Sequence, residues 1–214
     1  MHYRYLLATL LVLSLFTNTS LCQQNDTTYL RENLMKKSYA IDSEASAVVL
    51  FEKYTIDIGA DFLQRETIHK IIRILKSDAT NLANVAIFFP ADDYKNYVYK
   101  IEGTTYNLDD DKLTGTPLGK EDKFKKKIEG NLFEVDFTMP GVKEGSIIEY
   151  AYTIVSKVSV FLPVWHIQSQ YPKLVSEYQL YFPHNYDFVS KLYQTFRKKY
   201  RRLSGIDLIV LIYH

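Results

Sequence analysis

Few residues in this chain are of a type and spacing that could do covalent or metal chemistry. There is one cysteine, Cys22, and beyond the N-terminal segment there are four histidines, His69, His166, His184 and His214. Cysteine-based acyl transfer needs a thiolate beside a histidine. A zinc site needs closely spaced ligands such as two histidines four apart or an H-E-x-x-H run, and these histidines are scattered. The run Asp109, Asp110, Asp111 could ligate calcium through carboxylate oxygens, although such a run is more often a solvated hairpin tip. Ser146 follows Gly145 in a turn without a G-x-S-x-G elbow around it, so nothing marks it as a nucleophile. These residues predict no enzyme, no cofactor and no metal.

Two other groups could make surface contacts. Lys123, Lys125, Lys126 and Lys127 form a dense basic cluster, which reads as a sheet edge guarded by lysines or as a contact for an acidic polymer. Trp165, Tyr171, Tyr178 and Tyr181 are aromatic residues that could stack on sugar rings, while core packing is the competing reading.

Cys22 closes what reads as an export signal. Arg4 precedes the apolar run LLATLLVLSLF from Leu6 to Phe16, which is long enough for a signal core and well short of the roughly 20 residues that span a bilayer. Ser20 and Cys22 supply small residues before a cut ahead of Gln23. A lipoprotein would acylate Cys22, but Leu21 stands where a small residue is expected. Cleavage after Cys22 would leave a thiol-free, periplasmic or secreted protein, with no membrane span after the signal is removed. Arg4 would leave too, bringing basic and acidic side chains, 26 and 25 in the whole chain, into balance. Such a neutral chain has no global field to steer it to nucleic acid.

The elements that must position everything else are strands. The chain holds 18 tyrosines and 12 phenylalanines against one tryptophan, an enrichment that favours sheet. AVVLFEKYTIDI (47–58), TIHKIIRIL (67–75), VAIFFP (85–90), LFEVDFTMP (132–140) and SIIEYAYTIVS (146–156) show apolar runs or alternation of strand type. YVYKIEGTTYNL (97–108) predicts a hairpin turned through DDDK (109–112). SDATNLAN (77–84) reads as a polar turn, and VWHIQSQYP and KLVSEYQLYFP as two further strands. YLRENLMKKSYA, from Tyr29, could make a short N-terminal helix. The fold class predicted is all-β, an antiparallel β-sandwich of immunoglobulin-like type.

The segment FTMPGVKEGSIIEYAYTI (137–154), then PVWHIQ (163–168), Pro172, Glu177 and Tyr178, resembles the bacterial domain-of-unknown-function family 3857. AVVLFEKYTIDI, HKIIRIL and KIEGTTYNL fit the same family in the same order. The resemblance implies an N-terminal β-sandwich module of exported Gram-negative proteins, usually followed by a transglutaminase-like domain with its own Cys, His and Asp. It divides the chain into a signal peptide (1–22), a polar leader with the short helix (23–44), the module (45–190) and a basic, then apolar tail (191–214). That tail reads either as a final strand or, in preference, as the trace of a truncated or frame-shifted gene. The function implied is a non-catalytic structural or interaction domain of a kind that normally accompanies a transglutaminase-like domain, which this chain lacks and which would be encoded nearby. The alternative is a stand-alone envelope protein that binds glycan or peptide through Trp165, Tyr171, Tyr178, Lys123, Lys125 and Lys126.

Overall fold

The structure is a computed structural model that describes residues 27–90, 96–159, 162–166, 169–184, 197–203 and 206–213. The leader with Cys22, and His214, lie outside the described residues. A helix, α1 (27–35), opens the described chain. The strands are β1 (Ala47–Ile58), β2 (Leu63–Ile74), β3 (Asn84–Pro90), β4 (Tyr97–Asp109), β5 (Lys112–Pro117), β6 (Lys123–Glu129), β7 (Leu132–Thr138), β8 (Ile147–Lys157), β9 (Ser176–Pro183), β10 (Arg197–Leu203) and β11 (Ile206–Tyr213). They form a large sheet in the order β10-β11-β9-β1-β2-β8-β4-β5 and a small one in the order β3-β7-β6.

Every pairing is antiparallel except β1 with β9, which is parallel. The antiparallel sandwich read from the sequence therefore holds, with one parallel pair that alternation cannot reveal. The tail does not stand apart from the sheet. β10 and β11 form a hairpin, and β11 pairs with β9 along its whole length.

Strand alternation gives the large sheet two faces with different fates. On the first face, Ala47, Val49, Ile72, Ile74, Ile148 and Tyr150 meet Ile87 of β3, Phe137 of β7 and Met139 just beyond it. This is the core between the two sheets. Further along the same face, Ile56, Ile58, Tyr178, Leu180 and Phe182 are covered by Val158, Leu162 and Trp165. On the second face, Val48, Leu50 and Ile147 are covered by Leu30 and Leu34 of α1 with Tyr39 and Ala45. This cover reaches only the half of the face where β1 begins.

Local features follow the residue types. The hairpin between β4 and β5 turns at Asp110 and Asp111, both with positive φ (48° and 62°), as a two-residue primed turn requires. Gly141 (φ 65°) and Gly145 (φ 89°) shape the β7–β8 connection in a left-handed backbone region that a Cβ atom disfavours. Residues Ser77–Ala83, read as a polar turn, form a 3-10 helix that buries Ala79 and Ala83. The segment VWHIQSQYP is not a strand: residues 162–166 have no regular structure. Pro163 and Pro172 flank it, and proline cannot donate to a ladder. KLVSEYQLYFP does contain a strand, β9.

Two buried polar clusters tie the covers down. Arg73, on the second face, donates from Nη2 to the carbonyls of Leu34 (2.6 Å) and Lys36 (3.1 Å), and from Nη1 to those of Gly145 and Ser146. Its guanidinium joins the end of α1 to the β7–β8 turn. Glu52, on the first face, takes Lys70 Nζ at 2.8 Å and a short contact from Lys173 Nζ, with Ser176 Oγ at 3.3 Å. Lys173 Nζ also donates to the His166 carbonyl at 2.7 Å. This cluster fastens the Trp165 segment to the sheet.

Candidate functional site: an open trough on the large sheet

The second face of the large sheet, past the reach of α1, is lined by polar and aromatic side chains. Register places Lys53, Thr55 and Asp57 of β1 beside His69, Thr67 and Arg65 of β2. These in turn lie beside Ala151, Thr153 and Val155 of β8, and Tyr97, Tyr99, Glu102 and Thr104 of β4 complete the row. Among the described residues, no element covers this area. Two adjoining depressions, about 570 and 590 Å³, share Thr55 and Thr67 and make one trough.

Strand periodicity explains why the same strands line a core and a trough. In β2, Ile68 and Ile72 point to the first face while Thr67 and His69 point to the second, since successive side chains alternate. A bulge at Val49/Phe51 in β1 shifts the alternation by one residue. A second bulge between Tyr99 and Glu102, where Lys100 has φ 58°, keeps both Tyr99 and Glu102 on the trough side. Tyr97 is 42% exposed and Tyr99 56% exposed, so both side chains are accessible from the trough.

The titratable groups at one end of the trough are engaged with one another. His69 Nε2 lies 2.8 Å from Glu149 Oε1, and Tyr106 donates its hydroxyl to Glu149 Oε2 at 3.2 Å. The hydrogen bond from His69 holds the Glu149 carboxyl below its ordinary range, outweighing burial, with Tyr106 adding to the effect. The Phe51 ring meets His69 edge to face at 5.6 Å and restrains the imidazole. At the other end Arg65 pairs with Asp61 at 2.6 Å. Along the middle, Thr67 Oγ1 and Thr153 Oγ1 are 2.9 Å apart. The result is a firm, mixed-charge floor able to offer hydroxyls, carboxylates and aromatic faces.

The residues singled out from sequence fall into separate places. Trp165 and Tyr178 do come together, with ring centroids 5.5 Å apart, but on the first face. There Tyr178 is buried, and burial pushes its hydroxyl up to about 12. Tyr171 packs against the inter-sheet core instead. Tyr181 alone of that aromatic set reaches the trough. The lysines lie on β6, an edge strand of the small sheet. Lys126 sits between Glu134 (3.0 Å) and Asp136 (2.7 Å), Lys125 lies over the Phe89 and Phe133 rings, and Lys123 donates to the Ile101 carbonyl.

Ser146 is buried and donates to Asn107 Oδ1 at 2.6 Å, which makes it a brace of the turn. In the acidic hairpin tip, Asp109 pairs with Lys143 at 2.5 Å and the Asp111 carbonyl accepts from Arg31. Among the described residues, no group of three or more His, Cys, Asp or Glu is arranged to hold a metal ion. The trough left only a weak signal in the sequence: Thr55, Thr67 and Thr153 sit on strand faces that alternate with apolar positions such as Ile56, Ile68 and Ile154.

No curated protein sequence matches the chain. A crystal structure from Parabacteroides distasonis ATCC 8503, described as a "putative protease", superposes with a TM-score of 0.70 at 15% identity, over 79% of this chain and 35% of that one. The likeness establishes a shared fold, and this chain corresponds to about a third of that protein's length. A two-domain M1 zinc metallopeptidase aligns over 84% of this chain and 42% of that one at 7% identity, with a TM-score of 0.42, too low to support any comparison. Residues 60–207 match the family model of a domain of unknown function with a solved structure, DUF3857. That match starts at the β1–β2 turn and runs into β11, beyond the limit of 190 read from the motifs. With two thirds of its residues in the match, the chain belongs to the DUF3857 family.

Proposed function

We propose that this chain is an exported, non-catalytic interaction module that binds its target through the open trough of the large sheet, and that its usual setting is beside a transglutaminase-like domain. The observation that carries this reading is the trough itself. It is a long exposed surface whose acid–base pair, His69–Glu149, is closed on itself and braced by Tyr106. Such a pair fixes the shape and charge of a surface. The chain's single thiol lies in the predicted leader, so a cysteine nucleophile would have to come from a partner. The Parabacteroides distasonis protein, in which the shared fold occupies about a third of a chain described as a "putative protease", supports a module set beside a separate catalytic unit.

Two measurements test the reading. The purified protein is expected to give no turnover of peptide, ester or γ-glutamyl substrates, and added transglutaminase-like partner is expected to bind it without gaining its nucleophile from it. Measurable turnover abolished by His69→Ala would overturn the non-catalytic reading. For export, a fusion of residues 1–40 to alkaline phosphatase is expected to be active in the periplasm, with a mature N-terminus at Gln23 by mass spectrometry. Retention in the cytoplasm, or acylation on Cys22, would contradict cleavage after that residue.

A further inference from the structure

Resting on the reading of the trough as a binding surface, we infer that its ligand is a neutral oligosaccharide of several sugar rings. The backbone decides first. The floor of the trough is a sheet face, and the N–H and C=O groups of β1, β2 and β8 are spent on strands to either side, while β4 is paired with β8 and, from Thr104 on, with β5. An extended peptide gains affinity on sheets chiefly by main-chain pairing at an edge, and the floor over β1, β2 and β8 offers none, the stretch of β4 before Thr104 being the one border of the trough that β5 does not pair. What the floor offers a ligand lying along it is side chains: hydroxyls at Thr55, Thr67 and Thr153, and tyrosine rings at 97, 99 and 181.

Sugar rings have the complementary chemistry. Their equatorial hydroxyls both donate and accept, matching hydroxyl and carboxylate partners. Their C–H faces lie flat on aromatic rings, and tyrosine combines an apolar face with a polar tip. Tyr97 and Tyr99 are two residues apart on one strand, so their side chains emerge on the same face about 7 Å apart. From Glu149 to Val155 the floor follows β8 for about 20 Å, room for several rings.

Charge selects among sugars. Asp57, Glu102 and Glu149 line the trough with Lys53, Arg65 and His69. Arg65 is paired with Asp61 and His69 lies on Glu149. An acidic glycan would bring its carboxylates against Glu102 and Asp57, whereas a neutral one meets a balanced rim.

The test is a neutral-glycan array followed by titration calorimetry with cellohexaose, maltohexaose and chitohexaose, and with polygalacturonate and an extended decapeptide as contrasts. At least one neutral oligosaccharide is expected to bind. Tyr97→Ala and Tyr99→Ala, each at an exposed site, are expected to weaken it about tenfold or more. Phe88→Ala, exposed on the small sheet, is expected to leave it unchanged. Refusal of every neutral glycan, preference for polygalacturonate, or binding indifferent to both tyrosine variants would overturn the inference. Capture of the decapeptide in the trough with no glycan bound would overturn it while leaving the interaction reading intact. Substrate turnover is the separate result that would remove that reading.

Discussion

Replacing Glu52 by alanine is expected to cost about 3–5 kcal/mol of folding stability, the toll of leaving a buried cation without its counter-charge. Lys173 is 3% exposed, so its ammonium has no water to turn to once Glu52 is gone. Lys70, whose side chain is 30% exposed, can reach solvent and contributes less to the loss. The cost is one of mismatch, not of the pair's intrinsic worth. The double variant Glu52→Leu with Lys173→Met should therefore recover most of it, since a buried pair exchanged for apolar side chains is often neutral or better. Urea denaturation of the three proteins checks this, and a single variant losing under 1 kcal/mol would contradict it.

The same cluster sets part of the acid limb. Burial pushes the Glu52 carboxyl up, but Lys70 and Lys173 together pull it below its ordinary value of 4.5. A carboxyl with a depressed native pKa stabilises fully above its unfolded value and loses that contribution as pH falls through the native one. The Glu52 contribution is thus complete above about pH 5 and is lost progressively below 4.5. In the double variant, the dependence of stability on pH below 4.5 should be shallower. The slope from Glu149, whose carboxyl is also held low, should remain.

Arg73→Ala is expected to cost about 3 kcal/mol or more, because charge-assisted hydrogen bonds are strong and the carbonyls they leave are buried. The guanidinium fork spans two directions, toward the carbonyls of 34 and 36 and toward those of 145 and 146. Arg73→Lys should restore under half the loss, since one ammonium cannot occupy both ends of a planar fork. The damage should also be local. With its anchor gone, α1 should leave the second face, and trypsin should cut at Arg31, Lys36 or Lys37 while the sheets still fold. A variant that unfolds in one step with no early cleavage at those sites would show that α1 is held by Leu30 and Leu34 alone.

Much of the framework was legible in the sequence. β2, β7 and β8 follow their alternation, and the Asp109–Lys112 hairpin turns where its acids indicated, because period-two patterning and turn chemistry are local. The 3-10 helix at Ser77–Ala83 reads as a polar turn because its two buried alanines carry too little hydrophobic signal. The Trp165 segment was read as a strand because apolar residues between prolines look alike in strands and in tethered loops. What holds it, the Glu52–Lys173 contact, joins residues 121 apart in sequence. The trough was the least legible feature. Its threonines and tyrosines become one surface only through the order β9-β1-β2-β8-β4 and the two bulges, and a bulge leaves no reliable mark on hydrophobic pattern. Trp165 and Tyr178 stood out by residue type, yet the fold uses them chiefly to close a core.

Ring-labelled tyrosine NMR tests most directly whether the open face of the large sheet is the working surface. With carbon-13 in the tyrosine rings, assigned by single Tyr→Phe variants, the protein is titrated with a neutral hexasaccharide selected on the array. Tyr97, Tyr99 and Tyr181 should shift together, with Tyr150, Tyr152 and Tyr178 on the opposite face unmoved. Shifts confined to Tyr178 and its neighbours around Trp165, with the trough tyrosines silent, would contradict the account.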